Sequence, residues 1–577
     1  MIRLDDLTEG GVSWSFDQAV ATGRADRLAD VVDTVREAEA RRANGEWVVL
    51  VIAYEAASAF DSALRTAPAP PPGVPHVWWQ SFAERRAATA LAPIETRVTS
   101  RRRRANRWPH AMSVESIRDR IAAGDVYQVN LTDRFEGEFD DTALEMYAGL
   151  VGVQSCAFGA YIEMGDRTVV SASPELFFSW SDETVTCRPM KGTAPRQPRP
   201  DADDLAAAAL VASAKERAEN VMIVDLLRND LGRIARTGSV RVPDLFTRER
   251  YETVWQLTST VQAQLPPATG LVDVLRALFP CGSITGAPKV AAMEIITELE
   301  TEPRGVYCGA IGVLAPDGHG PRAVFSVPIR TAVVDPANGT YEYGAGGGIT
   351  WSSKPDAEDA EVRAKARILT RSHRELDILE TLRNDDAGLR HMSDHVDRME
   401  ASARWFGHPF DRDEIEGRLA DLPASAVAER VRLLLDRTGA LRIERHPLVK
   451  SDAPVVLAID TEITRSDDPY CCHKTTWRRQ YDRARQRHPG ADDVVMINEH
   501  GRAVETTIAN LLYRLGECWY CPPLTDGGLP GIARRHALDD GLVVERSIAA
   551  DDLRRCDELA VINDLRGWRP ARLADDH

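Results

Sequence analysis

Two residues whose types could do chemistry together are Glu175, in Ser173-Pro-Glu175, and Lys191, in Met190-Lys-Gly-Thr193, sixteen positions apart. The runs around them read as adjacent strands, so an acid and an amine can face one pocket. A desolvated lysine serves as a neutral nucleophile, and a neighbouring carboxyl can protonate a departing hydroxyl. The Gly-Thr turn lets backbone approach a ligand closely. On spacing alone, the simpler reading of the pair is a surface ion pair across a hairpin.

A second constellation is carboxylate-only. Glu216 and Glu219 are three apart on a helical pattern and share a face, and Glu358 and Glu361 repeat the device downstream. If the two pairs meet across a cleft, four carboxylates repel unless a cation lies between them, and hard oxygen ligands suit Mg2+. Carboxylates on helices are more often simply exposed. Three further segments offer anion-binding groups: Cys281-Gly-Ser-Ile-Thr285 before a helix that should start at Pro288, Arg330 in Val327-Pro-Ile-Arg330, and the glycine run Gly346-Gly347-Gly348. A turn explains the glycines equally well.

The elements that must position these groups follow from periodicity. Helical patterns cover Arg27 to Asn44 and Asp203 to Arg236, the second as one long helix ending at Thr237-Gly238. Trp47 to Ala53 is an apolar strand too short to span a bilayer. Ala123-Gly-Asp-Val-Tyr-Gln128 reads as a turn into a buried strand, and Gly305-Val-Tyr-Cys308-Gly as another strand. The pattern breaks at Arg371-Ser-His-Arg374, so domains are expected over 1–370, with 1–95 its amino-terminal part, and over 375–577.

Composition narrows the class. At 577 residues with 44% hydrophobic content the chain builds two or more cores, and a net charge of -17 argues against nucleic-acid or anionic-membrane partners. The basic run Arg101 to Arg104 with Arg107 reads as a solvated loop. Nine scattered cysteines and no apolar leader predict a reduced, cytoplasmic protein. Cys518 and Cys521 have no second pair at zinc spacing.

The Ser-Pro-Glu and Lys-Gly-Thr segments at this spacing resemble the chorismate-utilising enzyme family, especially its aminodeoxychorismate synthase component I branch, in which the lysine attacks chorismate directly. Anthranilate synthases usually carry a small residue there. The resemblance implies an antiparallel β-sandwich with surrounding helices, Glu219 and Glu361 as Mg2+ ligands, and Glu216 and Glu358 behind them. It implies substrate contacts from Gln128, Thr193, Thr285, Arg330, Gly346, Gly347 and Lys365. Gln128 stands where water-adding relatives have lysine, which favours amination. Gln256 replaces a usual histidine and is assigned contact without proton transfer.

Past residue 375, Glu380-Thr-Leu-Arg383, His395-x-x-Arg398, Cys472-His-Lys474-Thr, Ala503-Val-Glu505-Thr and Gly531-Ile532-Ala533 follow the order seen in fold-type IV pyridoxal-phosphate enzymes, which include aminodeoxychorismate lyase. The resemblance implies that Lys474 carries the cofactor, Glu505 faces its ring nitrogen, and Arg398 with the helix start at Ile532 and Ala533 holds the phosphate.

Together the halves imply an α+β/α/β multidomain enzyme making 4-aminobenzoate on the folate route, by amination of chorismate and then loss of pyruvate. No segment resembles a glutamine amidotransferase nucleophile, so ammonia is expected from a separate subunit, and a homodimer through the second domain. The alternatives are an anthranilate synthase first half, and an amino-acid aminotransferase or non-catalytic second half.

Overall fold

The computed structural model describes every residue except 9, 90, 92–97, 105, 107, 155, 371–375, 450–452 and 575–577. Arg107 and the expected break at 371–374 therefore lie outside the described residues. The chain divides into two units: Met1–Pro195 with Ala207–His373, and Arg196–Ala206 with Arg374–His577. A single boundary near 370 misses that excursion, because Arg196–Ala206 folds with the second unit. Among the described residues no helix is long and apolar enough to cross a membrane.

The first unit contains two antiparallel sheets of ten strands each. In one, Gln128–Glu138 pairs from Val129 onward with Thr340–Ile349, and the order continues outward through Thr331–Asp335 and Thr168–Ser173 to Ile2–Asp5. In the other, Met190–Pro195 and Thr184–Arg188 flank Val254–Gln264, and Trp47–Ile52 lies deep in the sheet. All six residues of Trp47–Ile52 are buried, as an unbroken apolar strand requires. Trp47, Val49 and Val51 share an apolar layer with Ile2, Phe16, Ile162 and Val169 of the first sheet. Val48, Leu50 and Ile52 point the other way, onto Val31 and Val35 of the helix Val31–Ala43 and Leu275 of the helix Leu271–Leu278. Alternation along one strand thus joins two cores.

Three sequence expectations are corrected here. The long helix from Asp203 is two helices, Pro200–Ala212 and Ala214–Gly232, because Ser213 leaves the helical conformation and its side chain accepts from the Glu216 N–H. Gly305 to Cys308 is a buried turn with positive φ at both ends, not a strand. The basic run is no solvated loop: Arg103 bridges Asp133 and Asp359, and Arg104 pairs with Glu136.

The second unit has a four-stranded antiparallel sheet and an eight-stranded mixed one, in which Val455–Thr464 runs parallel to Asp493–Asn498 and Gly567–Leu573. Ile378, Leu382, Val431 and Leu433 of the smaller sheet pack on Val396, Met399 and Ala403, one stripe of the helix Met392–Phe406. The opposite face, with Leu379, Thr381, Arg430 and Arg432, lines a cavity.

The segment Arg196–Ala206 is built into this unit through polar contacts. Arg196 donates to Asp203 at 2.6 Å, both side chains being almost wholly buried, and to the Trp405 carbonyl at 3.0 Å. The Trp405 indole N–H donates to the Gln197 carbonyl, 2.8 Å away. His473 spans from Ser402 at 3.0 Å to the Pro198 carbonyl at 3.1 Å. Burial lowers its pKa to about 3, so it is neutral: Nε2–H donates to Pro198 and Nδ1 accepts from the Ser402 hydroxyl.

Candidate active sites

In the first unit the strands Gln128–Glu138 and Thr340–Ile349 form the floor of a polar site. Register pairs Gly348 with Asn130 and Gly346 with Thr132. A Cβ on Gly348 would lie 2.5 Å from Lys191 Nζ and 2.9 Å from Gln128 Nε2. Lys191 and Gln128 therefore gather over one glycine, where any larger residue would displace them. Gln128 is fully buried, and neither its amide nitrogen nor its oxygen has a partner. Leaving both unpaired costs about 1–3 kcal/mol each, so the geometry suits a ligand that supplies the missing bonds.

Glu175 is 3% exposed and receives the Ser283 hydroxyl at 2.6 Å. Burial pushes its pKa up to about 7, against Ser283 and Lys191, which favour the carboxylate. It is thus available as an acid near neutrality. Ser283, inside the Cys281-to-Thr285 segment, went unremarked in the sequence; its proximity to Glu175 comes from packing. Gly192 has φ +97°, which turns the chain after Lys191. The Asn220 amide fixes that turn by donating to the Lys191 carbonyl at 3.1 Å, and itself accepts from Ser259 at 2.6 Å.

The two glutamate pairs come from helices on either side. Glu219 Oε2 is 3.7 Å from Lys191 Nζ, and its other oxygen receives the Thr350 hydroxyl at 3.4 Å. Lys365 holds Glu361 at 2.7 Å, keeping its pKa low, and donates to the Gly346 carbonyl at 2.8 Å. A Cβ on Gly347 would lie 3.2 Å from Glu358 and 3.9 Å from Glu361. Glu358 is raised by burial first and by Glu361 as well. Glu216 sits 3.8 Å from Lys215 and against Gly192. Glu219, on Ala214–Gly232, and Glu361, on Pro355–Ala366, both stand near Lys191, and hard oxygen donors of this kind suit a cation such as Mg2+.

The remaining anion-binding expectations divide. Arg330 is half-buried in a left-handed backbone (φ +54°), donates to Gln154, and has no carboxylate within ion-pair distance among the described residues. Burial lowers its pKa. A strained, half-buried guanidinium of this kind is suited to a carboxylate ligand. The Thr285 hydroxyl is buried and donates back to the Cys281 carbonyl at 3.0 Å, closing its own turn. Thr193 and Gln256 are cross-strand partners that bond each other at 3.1 Å. The helix expected at Pro288 is capped there and runs Lys289–Leu299.

The second unit holds a cavity of about 360 Å³ lined by Lys474, Glu505, Arg398, Asn510, Gly531 and Ile532. Burial, then the charge of Arg398, lowers the Lys474 pKa to about 8. Glu505 receives the Tyr481 hydroxyl at 2.8 Å and the Leu529 N–H at 3.0 Å, while burial raises it to about 7. The helix Ile532–Asp539 starts at Gly531, where a Cβ would meet the Asn510 side-chain oxygen at 1.9 Å. Its first N–H groups, those of Ile532 and Ala533, have no intrahelical acceptor. Arg398 is more committed than its sequence position suggested: Nε and Nη2 grip Glu380 at 2.8 and 2.7 Å and Nη1 donates to the Pro530 carbonyl. His395 bridges Glu380 and Asp564 behind it. An amine, a carboxylate and a helix start around one cavity fit pyridoxal phosphate.

Comparison with known proteins bears on both sites. Residues 11–371 match chorismate binding enzyme, and residues 377–574 match amino-transferase class IV. Aminodeoxychorismate synthase component 1 of Escherichia coli is 44% identical over 254 residues, 44% of this chain and 55% of that protein. Anthranilate synthase component 1 of Streptomyces coelicolor is 42% identical over 257 residues, 44% of this chain and 49% of that protein. The chain thus spans about half the length of the curated relatives it matches. The crystal structure of anthranilate synthase component I from Streptococcus pneumoniae superposes with a TM-score of 0.54 at 26% identity, covering 62% of this chain and 92% of that one.

Proposed function

This chain belongs to the chorismate binding enzyme family, and from that premise we propose that its first unit aminates chorismate and its second, an amino-transferase class IV domain, removes pyruvate from the product to leave 4-aminobenzoate. The observation that carries the first step is Lys191 beside the unpartnered Gln128 amide over Gly348. Anthranilate synthases, of which one matches at 42% identity, usually have a small residue in place of Lys191.

In the first reaction Lys191 Nζ adds to C2 of the ring as the double bond shifts and the C4 hydroxyl leaves with the proton of Glu175. Ammonia then adds at C4, the double bond shifts back and Lys191 departs, leaving 4-amino-4-deoxychorismate and water. Gln128 orients the incoming nucleophile. Arg330 grips a substrate carboxylate, with Lys365 and the backbone at Gly346 and Gly347 beside it. Glu219 and Glu361 would hold Mg2+, supported by Glu216 and Glu358, and the cation supplies neutralising charge for a second carboxylate.

In the second unit Lys474 would hold pyridoxal phosphate, Glu505 its ring nitrogen, and Arg398 with the N–H groups of Ile532 and Ala533 its phosphate. The cofactor supplies an electron sink for loss of a ring proton. Lys474, with its pKa near 8, is the base that takes that proton at C4. Ammonia comes from a separate glutamine amidotransferase subunit, and the second unit self-associates. Nine unpaired cysteines support a reducing cytoplasm.

Chorismate, ammonium and Mg2+ supplied with and without pyridoxal phosphate should give 4-aminobenzoate and aminodeoxychorismate respectively, identified by mass. Lys191→Ala should abolish both. Unchanged turnover in that variant would remove the nucleophile, and anthranilate as product would reassign the enzyme.

A further inference from the structure

Glu175 takes a hydrogen bond from Ser283, so the setting of its carboxyl depends on the turn that carries Ser283. That turn hangs from the strand Gln128–Glu138. Gly286 and Ala287 pair with Val129 and Gln128, and the Asn130 N–H donates to the Thr285 carbonyl at 2.7 Å. There the strand pairing stops, and Ile284 and Ser283 are tied to the strand by a side chain instead.

That side chain is Arg304, 2% exposed and five residues beyond the helix Lys289–Leu299. Its own N–H and that of Gly305 donate to the two oxygens of Glu55, at 2.7 and 3.0 Å, which fixes the backbone it springs from. The guanidinium lies over the Tyr54 ring and grips Glu300 through Nε and Nη2, at 2.8 and 2.6 Å. Two further donations go to backbone: Nη1 to the Ile284 carbonyl at 2.8 Å and Nη2 to the Asn130 carbonyl at 2.7 Å. Glu300 closes the frame by accepting from the Thr132 N–H at 2.9 Å. A buried ion pair is in itself a poor source of stability. A rigid fork of donors that meets a carboxylate and two carbonyls at once fixes the distance between the segments it joins, which a lysine cannot do.

We infer that Arg304 is a positioning residue for the first reaction: by joining the Ile284 carbonyl to the Asn130 carbonyl, it holds Ser283 against Glu175 and keeps the acid in register with Gln128 on the strand and with Gly348, the partner of Asn130. That role rests on the reading of Glu175 as the acid of amination, and adds what places it. Besides burial, the groups that bear most on Glu175 are Ser283, the Met190 N–H, Lys191 and Lys365, with the Cys281 thiol near it on the turn. Ser283 favours the carboxylate against the burial that pushes Glu175 up to about 7, so a change that lets Ser283 drift should raise the acid further.

The test uses the full chain. Ionisation of Glu175 is followed by infrared titration of its protonated carboxyl band, assigned as the band that Glu175→Gln removes, in the wild type, Arg304→Lys, Ser283→Ala and the double variant. Lysine keeps the charge beside Glu300 and gives up the fork. A hydrogen bond to a charged group is worth about 10-fold, so the midpoint should rise by about one pH unit in each single variant and no further in the double. With the acid misplaced and Arg330 untouched, kcat for amination in Arg304→Lys should fall about 10- to 100-fold at unchanged KM for chorismate. An unchanged Glu175 midpoint in Arg304→Lys, or shifts that add in the double variant, overturns the positioning role. Should Arg304→Lys not fold, Arg304→Gln combined with Glu300→Gln, which leaves no charge of the pair unmatched, takes its place with the same expected shifts. Failure of the wild type to aminate chorismate would instead overturn the reading of the first reaction, while the infrared titration still decides whether Arg304 sets the acid.

Discussion

Lys191 Nζ fills the space above Gly348, where a Cβ would stand 2.5 Å from it. Both this contact and the one with Gln128, 2.9 Å away, are with the ends of side chains and not with backbone, so Gly348→Ala should fold, with a thermal midpoint close to that of the wild type. The lysine must move aside, however, and a displacement of about 1 Å at a reacting atom costs on the order of 10²-fold. Amination of chorismate should fall by that factor in Gly348→Ala at unchanged secondary structure by circular dichroism.

Glu175 offers a pH-dependent check. Its pKa is raised by burial to about 7 from an ordinary 4.5, so the folded chain holds a proton that the unfolded chain releases. Stability from this group is therefore fully present below the ordinary value and is lost as pH rises through about 7, by up to about 3 kcal/mol. Glu175→Gln should abolish amination yet raise the first unit's thermal midpoint near pH 8, with little difference near pH 4. In the wild type, kcat/KM for amination should fall as pH climbs past about 7, since the acid is then ionised.

Lys474 has the opposite sign. Burial lowers it to about 8 from 10.5, so the buried amine is a destabilising charge below pH 8 that is relieved between those values. Uptake of pyridoxal phosphate by cofactor-free protein, followed by absorbance, should accelerate with pH and reach half its limiting rate near pH 8. Lys474→Met should bind no cofactor covalently and be more stable than wild type at neutral pH.

Arg196 tests the packing around Lys474. Its partner Asp203 is nearly buried, so Arg196→Ala leaves an uncompensated charge worth about 3–5 kcal/mol. Unfolding monitored through cofactor absorbance should shift down by that amount. A midpoint within error of the wild type would show that Asp203 finds another partner.

How much of this was legible in the sequence depended on the reach of each interaction. Glu216 and Glu219, or Lys191 and Gly192, advertise their chemistry because the spacing that matters is local. The antiparallel pairing that lays Gly348 under Lys191 could be guessed only from motif order. Ser213 was hidden by the alanine-rich stretch before it, whose helix propensity masks a single capping residue. The bond from Ser283 to Glu175 spans 108 positions, and that from His473 to the Pro198 carbonyl 275. Nothing in either local segment announces such a partner.

The excursion of Arg196–Ala206 has a bearing on any attempt to part the two activities. Expressing the class IV portion from its own start codon after residue 373 would leave His473 and Trp405 facing water where Pro198 and Gln197 now meet them. Recombination at one breakpoint cannot carry off the second unit whole; it would need a grafted copy of that short stretch or a fresh substitute for it.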